Sequence, residues 1–519
     1  MPAPASRVLF LGLDGGTMNV LTPLFGRGWL PNLATLWRRS AHGTLRSTTP
    51  MVTPVAWTSF LTGCTPQVHG IHDFHDLDPQ RRAIRSVHAG RIRVPTLWQV
   101  FDNLGLEVVS LGLPMTYPAP PIRGLIVAGA EAPDLTRAFA QCPDFGAEVQ
   151  ATIPNYTQKL VWKDRPSRLD DLKRLSSQTQ GIFQAQAEAA ELADRRVDWS
   201  ALMVHFHNLD GLQHRLWPYL EVDETGLRDP AWNHEVEACL RALDDAAGRL
   251  LELASKRDAA VIVASDHGFG PCKAIVNVNG LLQKAGLQRR LAYGTRFRYR
   301  ASRLADRFRR WQSRRTSNNL VRQRSRSLEG QVGCDWSRTL AFAPYGGLCG
   351  SIYLNLDLVP TESAADRIRR EVIDVCKDAK DPETNALLFA DTFAMADRYG
   401  FDPVLEGLPD VLAHSADGYQ AQAKWGPFCR RLLKPDWSLP ATHAMDGVVA
   451  IDAPDIHPGP TLHAELHDLA PTALAVLGLP IPGMMQGRVL QEAFESPLPV
   501  PNDNGPPVDL PVPLVAGLD

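Results

Sequence analysis

The chain has 519 residues, of which 44% are hydrophobic and 21% are charged, a composition typical of a globular protein. This length exceeds one ordinary hydrophobic core, so we expect a large α/β domain with a substantial insertion, or two domains. A net charge of −3 and a pI near 6.6 give no support to wholesale binding of nucleic acid or of a membrane surface.

The cysteine pattern and the hydropathy of the chain indicate its cellular compartment. The eight cysteines are scattered without the close pairs of a zinc knuckle or a redox motif, so we expect reduced thiols. No apolar run approaches the roughly 18 residues of a membrane span. A cleaved signal peptide is disfavoured because the short apolar run near the N-terminus is needed as a core strand. We therefore expect a cytoplasmic protein without a transmembrane segment.

The first predicted element is a buried parallel strand over Arg7–Leu13, because this stretch is continuously apolar. Asp14 and two glycines then break the pattern, which places Asp14 where such a strand ends at a functional edge. The alternative for an aspartate before two glycines is a simple turn or cap. Helical patterns follow over residues 17–25 and 30–39.

The stretch from residue 48 to 74 contains a Thr-Pro turn directly before an apolar helical run. This pattern puts the hydroxyl of Thr53 at a helix N-terminus. Thr53 as an ordinary N-cap, with proline at the first helical position, is the structural alternative. Residues 96–104 and 106–111 then have the patterns of a helix and a strand, consistent with repeating βα units.

Two further strand ends carry aspartate and histidine. After an amphipathic helix over 167–196 and the strand SALMVHFH, Asp210 and His214 lie four residues apart on the expected first turn of a helix. This spacing turns both side chains the same way and suits chelation of one metal, with a surface ion pair as the alternative. After a helix over 233–255, the strand AAVIVAS ends in Asp266 and His267. Ligands collect at the carboxyl ends of strands in open α/β sheets, so these positions support one another.

The pattern changes between residues 281 and 430. Strand-like stretches at 339–343 and 350–356 and a helix at 361–377 predict a folded cap. Residues 289–326 carry 14 arginines against one acid, Asp306, and form a local basic patch. One interpretation of the patch is a solvated helical face or lid. The other is an electrostatic guide for a phosphate-rich substrate, or a contact to an acidic surface.

Core-like sequence returns after the insertion. His443 precedes the strand DGVVAI and is the last candidate metal ligand, with His457, His463 and His467 as rivals. A helix capped by Asp468 is expected to close the domain. The predicted organisation is an α/β core over residues 1–280 and 431–495, a cap over 281–430 and a proline-rich tail over 496–519. The Asp and His side chains at four strand ends are suited to holding two divalent metals around the threonine hydroxyl.

Six motifs in this order resemble the alkaline phosphatase superfamily, in particular its branch of type I phosphodiesterases, nucleotide pyrophosphatases and related predicted phosphohydrolases or phosphomutases. The motifs are LGLDGG, TPVAWTSFLTGCTPQVHGIHDF, NLDGLQHRLW, VASDHGFG, ATHAMDGVVAI and DLAPTALAVLGLPIPGMMQGR. The similarity runs from residue 7 to about residue 489. It implies an α/β fold with an alkaline-phosphatase-like, mostly parallel central sheet, helices on both faces and an inserted α+β cap.

The resemblance also implies a site for two divalent metal ions. The two ligand sets that it implies are Asp14, Thr53, Asp266 and His267 for one metal, and Asp210, His214 and His443 for the other. Members of the family usually carry zinc at such positions. A mixture of imidazole and carboxylate ligands agrees with zinc, and manganese is the alternative.

The reaction implied by these positions is hydrolysis of phosphate esters through a covalent threonyl-phosphate. A threonine hydroxyl is a poor nucleophile, but coordination to a cation and a helix N-terminus both favour the alkoxide of Thr53. Backbone N–H groups after Thr53 are expected to bind a phosphoryl oxygen. A threonine at this position argues against a sulfatase, whose motif would need cysteine or serine.

One position departs from the better-known nucleotide pyrophosphatases, in which an asparagine shortly after the HGI motif helps to hold the phosphoryl group. Asp73 and Phe74 stand there in this chain. Asp73 would repel an anionic ester unless protonated or paired, so we expect it to position a cation or a sugar hydroxyl. Val55, Trp57 and Phe74 are expected to form an apolar shelf, which slightly favours phosphodiesters over monoesters. Lys163 and Arg165 are an alternative source of positive charge, in the manner of monoesterases.

The expected partner is a small phosphate ester, such as a nucleotide or a phosphorylated headgroup, with no specific nucleic acid and with a homodimer left open. Two other functions compete with hydrolysis. A phosphomutase or phosphotransferase of the same fold would need an acceptor other than water, and a degenerate member would bind a phospholigand without turnover. All seven ligand and nucleophile positions are chemically competent, which favours an enzyme.

Overall fold

The computed structural model of the chain describes residues 4–78, 83–154, 156–159, 161–162, 164–221, 229–291, 332–400, 407–432 and 440–499. The chain divides into two compact units. The first comprises Met1–Phe74, Val87–Pro271 and Lys434–Asp519, and the second comprises His75–Ser86 and Cys272–Leu433. The cap was expected over 281–430, whereas the second unit begins at Cys272 and includes the segment His75–Ser86. Most of the Arg-rich segment, residues 292–326, and most of the proline-rich tail, residues 500–519, lie outside the described residues.

The strands are numbered in chain order. They are β1 Arg7–Leu13, β2 Ala41–Arg46, β3 His75–Leu77, β4 Ile84–Ser86, β5 Val108–Leu111, β6 Gly124–Val127, β7 Ala201–Phe206, β8 Ala259–Ala264, β9 Gly268–Pro271, β10 Ala274–Asn277, β11 Ala341–Phe342, β12 Cys349–Leu354, β13 Phe389–Ala394, β14 Val411–Ser415, β15 Tyr419–Gln422, β16 Cys429–Arg431, β17 Ala441–Ala444, β18 Asp446–Asp452 and β19 Gly459–Glu465.

The α-helices are numbered in the same way. They are α1 Met18–Gly26, α2 Pro31–Arg39, α3 Thr53–Thr62, α4 Pro66–His69, α5 Leu97–Asn103, α6 Leu135–Ala138, α7 Pro143–Thr152, α8 Leu169–Asp194, α9 Asn208–Leu220, α10 Pro230–Lys256, α11 Val278–Lys284, α12 Glu362–Lys377, α13 Met395–Tyr399 and α14 Leu469–Val476. Among the described residues, no helix is both long enough and apolar enough to cross a membrane.

An eight-stranded sheet organises the first unit, in the order β19-β2-β18-β8-β1-β7-β5-β6. The pairs β1/β7, β1/β8, β5/β7, β5/β6 and β2/β19 are parallel, whereas β18 is antiparallel to both β2 and β8. Since β18 alone runs against the other strands of this sheet, its beginning lies at the edge where its neighbours end. The mostly parallel α/β sheet predicted from the sequence is confirmed.

Both faces of this sheet are covered, as the continuous apolar pattern of β1 predicts. Leu9, Leu11 and Leu13 belong to one hydrophobic core with side chains of α1, α2 and α7 to α10. Val8 and Phe10 belong to a second core with side chains of α3, α5 and α14. Because successive residues of a strand point to opposite faces, one apolar strand serves two cores. Helices on both faces are therefore confirmed.

The second unit contains smaller sheets of its own. A four-stranded antiparallel sheet has the order β11-β12-β14-β13, a three-stranded sheet has the order β15-β10-β16, and β3 pairs with β4. The predicted helix over 361–377 is present as α12, whose Thr361 side chain accepts a hydrogen bond from the N–H of Ala364. Its apolar stripe packs into the core of this unit through Ile368 and Val372.

Candidate active site

Six of the seven predicted ligand residues, all but Thr53, come together at the carboxyl edge of the central sheet. Asp14 directly follows β1, Asp210 lies on α9 after β7, and Asp266 follows β8. His443 lies in β17, which pairs antiparallel with β9 and is followed at once by the reversed strand β18. The direction of β18 therefore returns a late segment of the chain to the edge where earlier strands end.

The first group of converging side chains contains Asp14, Asp266 and His267. All three are fully buried. His267 Nε2 lies 3.6 Å from Asp14 Oδ1 and 3.4 Å from Asp266 Oδ2, and these three atoms have no hydrogen-bond partner. Buried polar atoms are almost always hydrogen-bonded, so three that face one another indicate a site for a ligand that the three share.

The second group contains Asp210, His214 and His443. His214 and His443 each place Nε2 3.4 Å from Asp210 Oδ1, and the two Nε2 atoms are 3.1 Å apart. The four-residue spacing along α9 therefore brings Asp210 and His214 together as predicted from helix geometry. His267 joins the two groups, because its ring stacks on that of His443 with centroids 3.4 Å apart.

The three imidazoles have the same orientation. Their Nδ1 atoms donate hydrogen bonds to backbone carbonyls, His214 to Ala441 at 3.2 Å, His267 to Gly268 at 3.1 Å and His443 to Met51 at 3.1 Å. This arrangement presents Nε2 of each ring as an acceptor, the form in which imidazole binds a metal. Donor atoms about 2.0–2.1 Å from a tetrahedral zinc ion lie about 3.3 Å from one another, close to the spacings within both groups. The residues therefore fit divalent cations.

The turn after β1 depends on glycine. Gly15 has φ of +71°, and a Cβ there would lie 2.3 Å from Cε2 of Phe269. Its N–H donates to Asp266 Oδ1 at 3.1 Å, so the turn also orients that carboxylate. Gln213 reinforces the turn by donating from Nε2 to the carbonyl of Gly15 at 3.0 Å. Gly15 therefore both permits the turn after β1 and orients the Asp266 carboxylate.

Phe269 is the aromatic support of the histidines. It is fully buried, and its ring centroid lies 4.8 Å from that of His214, 5.1 Å from that of His443 and 5.5 Å from that of His267. The ring also stacks on Trp217 at 6.1 Å. One apolar side chain therefore limits the rotation of all three imidazoles.

The first group concentrates negative charge. Burial, and the charge of Asp14, raise the pKa of Asp266 well above its ordinary range. Burial likewise raises the pKa of Asp14, against the hydrogen bond from His207. Two buried carboxylates whose pKa values both rise are a pair that a divalent cation would stabilise in the ionised form.

The second group has a different charge balance. Burial would raise the pKa of Asp210, but the neighbouring His214 and His443 outweigh it and lower the pKa. Burial lowers the pKa of His214 to about 4, while Asp210 overcomes burial and raises the pKa of His443. Without a cation, a proton shared between Asp210 and His443 supplies the countercharge.

Thr53 is the first residue of α3, so the N-cap position that the structural alternative gave to it belongs to Val52, which makes no side-chain capping hydrogen bond. Neighbouring contacts tie the preceding segment to the ligands, since Ser47 donates to the Asp266 carbonyl at 2.6 Å and Met51 accepts from His443. The expected phosphoryl-binding N–H groups after Thr53 are not available at the first two positions. Pro54 has no N–H, and the N–H of Val55 donates to the Val52 carbonyl at 3.0 Å.

The three candidate substrate-binding residues have different surroundings. Trp57 has no exposed surface and packs edge-on against His205 with centroids 5.0 Å apart, so it does not form the expected apolar shelf. Asp73 is buried, and its Oδ1 accepts from the N–H of Phe74 at 2.7 Å. Phe74 is 48% exposed, which leaves its ring accessible to a ligand. Lys163 lies outside the described residues.

Two histidines next to the first group were missed by the sequence analysis. His207 Nδ1 donates to Asp14 Oδ2 at 2.8 Å, and His205 Nε2 lies 3.2 Å from the same oxygen. The only sign of them in the sequence was the alternating His-Phe-His at the end of a predicted strand. The β1/β7 register, in which Gly12 is opposite His205, brings these two histidines beside Asp14.

The family match and the fold together identify a metal-dependent phosphohydrolase of the alkaline phosphatase superfamily. The sequence model of the type I phosphodiesterase / nucleotide pyrophosphatase family matches residues 8–345, and the chain belongs to that family. No curated protein matches the chain.

Solved structures share the fold at low sequence identity. A phosphonoacetate hydrolase from Sinorhizobium meliloti 1021 in complex with phosphonoformate is 15% identical, with 92% of this chain and 97% of that chain covered and a TM-score of 0.55. Human ectonucleotide pyrophosphatase / phosphodiesterase 5 is 11% identical, with 94% and 100% covered and a TM-score of 0.51. A mutant of the alkaline phosphatase PafA is 13% identical, with 95% and 99% covered and a TM-score of 0.55.

Proposed function

We propose that the chain hydrolyses phosphate esters through a covalent intermediate on Thr53, with two divalent cations held by the first and second groups of side chains. The observation that carries the proposal is the convergence of buried ligand atoms at one sheet edge. In the first group, Asp14 Oδ1, Asp266 Oδ2 and His267 Nε2 face one another without hydrogen-bond partners. Bound zinc would supply Lewis acidity toward the phosphoryl oxygens and the nucleophile.

Thr53 is the proposed nucleophile because α3 starts with it and its chain segment is tied to Asp266 and His443. Its hydroxyl oxygen would form a bond to phosphorus as the bond to the leaving alkoxide breaks. Water would then cleave the threonyl-phosphate and release phosphate or a phosphomonoester. The positive end of α3 favours negative charge on the attacking oxygen. The N–H of Thr53 itself is the proposed backbone donor to a phosphoryl oxygen, in place of those that follow it.

Phosphodiesters are the proposed preferred substrates. Phe74 offers an exposed ring beside the buried carboxylate of Asp73, a combination that accepts an apolar ester group more readily than a second phosphate charge. The family is named for phosphodiesterases and nucleotide pyrophosphatases, which supports the same class. Zinc is the proposed metal because each group combines imidazole with carboxylate, with manganese as the alternative.

The test compares Thr53→Ala with Thr58→Ala on the same helix. Thr58 is equally suited to truncation, but its hydroxyl is occupied by a 2.6 Å hydrogen bond to the Pro54 carbonyl. Both proteins are assayed with bis-p-nitrophenyl phosphate, p-nitrophenyl phosphate and phosphonoacetate, after chelation and after return of zinc. We expect Thr53→Ala to lose turnover by a factor of about 10³ or more while it keeps its metal, and Thr58→Ala to stay active.

Acid quenching of the wild type during turnover should leave a phosphoryl group on the peptide that contains Thr53. Hydrolysis of the diester should exceed that of the monoester. Equal turnover by Thr53→Ala and the wild type would remove the threonine from the mechanism. Metal binding without turnover on any ester would instead support a phospholigand-binding protein.

A further inference from the structure

The two oxygens of the Asp14 carboxylate have different surroundings. Oδ2 is contacted by two imidazoles, since His207 Nδ1 donates to it at 2.8 Å and His205 Nε2 lies 3.2 Å away. Oδ1 has no hydrogen-bond partner and faces His267 Nε2 at 3.6 Å. The carboxylate is therefore divided into an oxygen held by protein groups and an oxygen directed into the first group of ligands.

His205 is fixed from three sides. Gly12 is its register partner on β1, and a Cβ on Gly12 would lie 2.9 Å from Cδ2 of His205 and 3.1 Å from Cη2 of Trp57. Trp57 packs edge-on against the imidazole at a centroid distance of 5.0 Å, and the Gln186 side chain donates to the His205 carbonyl at 2.8 Å. Glycine on one strand thus leaves the space that the histidine on the next strand fills.

His207 completes the arrangement. Its ring stacks on that of His205 with centroids 5.7 Å apart and an interplanar angle of 29°. The His207 side chain is 21% exposed, whereas that of His205 is fully buried. His207 therefore closes the outer side of the pair and can be replaced with less disturbance of the core than His205.

We propose that His205 and His207 are positioning residues that hold Oδ2 of Asp14, so that the carboxylate binds a cation through Oδ1 alone. The inference rests on the proposed cation sites. It predicts that the two sites are separately tunable, because His205 and His207 contact a ligand of the first group, whereas His214 and His443 contact Asp210 of the second group. Removing a group that orients a ligand commonly weakens metal binding about 10–100-fold.

The experiment is a titration of the metal-free full-length protein with Co²⁺ at fixed pH against a competing chelator, followed by its visible spectrum. The variants are His207→Ala, His207→Asn and, as a control, His42→Ala. Asparagine keeps an N–H donor near the position of Nδ1. His42 is a half-buried histidine on β2 whose Nδ1 contacts the Ser40 carbonyl at 3.1 Å. Asp266→Asn and His214→Ala identify which titration step belongs to which group.

We expect two equivalents of Co²⁺ in the wild type. In His207→Ala the step that Asp266→Asn removes should weaken about 10–100-fold, with an altered spectrum for that equivalent, while the step that His214→Ala removes stays unchanged. His207→Asn should recover most of the affinity, and His42→Ala should match the wild type.

Three results would overturn the inference. They are unchanged steps in His207→Ala, equal weakening of both steps, and a third Co²⁺ equivalent in the wild type that His207→Ala abolishes. The third result would make the imidazoles themselves metal ligands. These results can be distinguished from failure of the proposed hydrolase function. A wild type that binds two equivalents but hydrolyses no ester would refute the hydrolase, and the selective effect of His207→Ala would still be measurable.

Discussion

Replacing Phe269 by leucine should weaken cation binding at only a modest cost to the stability of the fold. The ring lies within 5.5 Å, centroid to centroid, of the three imidazoles that we propose as ligands. Leucine keeps most of the buried volume, so the substitution should cost less than about 1.5 kcal/mol of stability, against about 3–5 kcal/mol for alanine. The imidazoles lose the flat surface that limits their rotation, although their Nδ1 hydrogen bonds remain.

The weaker cation binding expected from poorly oriented imidazoles can be expressed as a smaller stabilisation of the folded protein by zinc. A tenfold weaker cation site corresponds to about 1.4 kcal/mol. At a free zinc concentration of 100 times the wild-type dissociation constant, binding stabilises the native state by about 2.7 kcal/mol, and a tenfold weaker site lowers this to about 1.4 kcal/mol. The difference is large enough to appear as a smaller upward shift of Tm on addition of zinc.

The assay is thermal unfolding in EDTA and in buffered zinc. Phe101→Leu is the control, because Phe101 is also fully buried but packs against Trp98 in the other core. Both variants should lose similar stability in EDTA. Only Phe269→Leu should show a reduced zinc increment. An equal zinc increment in the two variants would refute the idea that this ring positions the ligands.

Three further predictions concern the same sheet edge. Burial opposes the charge on His207, but Asp14 raises its pKa from 6.5 to about 9, so its stabilising effect is full below pH 6.5 and is lost as pH rises through 9. The free energy of unfolding in EDTA should therefore fall by at most about 3 kcal/mol over this range, and Tm should fall with it. If His207→Asn showed the same dependence of Tm on pH as the wild type, this prediction would be contradicted. Gly15→Ala should strain a positive φ and displace Phe269, so cobalt titration should show a loss of affinity; wild-type affinity would disprove the contact. Asp73→Asn should lower KM for a phosphomonoester dianion roughly 2–5-fold and should lower KM for a diester by a smaller factor. An equal decrease in KM for both substrates would exclude charge repulsion by Asp73.

The parts of the structure that follow from local pattern were predictable. β1 has the predicted bounds Arg7–Leu13, and the helix expected over 167–196 is α8, Leu169–Asp194, because long apolar or amphipathic patterns report burial directly. The closing helix was also predicted, and Asp468 is its N-cap residue, but the Asp468 side chain makes no capping hydrogen bond to that helix. Asp468 lies in a short 3₁₀ turn and accepts hydrogen bonds from the N–H groups of Glu465 and Arg488.

The convergence of distant residues was predictable from topology, and their exact neighbours were not. Parallel strands end at one edge, which is sufficient to bring Asp14 and Asp266 together. The contacts of His205 and His207 with Asp14 depend on the β1/β7 register, and a single sequence does not encode register in any local pattern. The burial of Trp57 was missed for the same reason, since its neighbour His205 lies on a distant strand.

The metal-free protein has excess negative charge around Asp14. Burial has the largest effect on the pKa of this carboxylate and raises it, the hydrogen bond from His207 lowers it, and the charge of Asp210 raises it. His207 can neutralise one carboxylate, but Asp266 is buried in the same group and its pKa is also raised, by burial and by the charge of Asp14. One negative charge is therefore left to be removed by protonation or by a cation. A divalent ion stabilises both carboxylates at neutral pH, so the first unit should gain stability from metal in the pH range where the carboxylates must ionise.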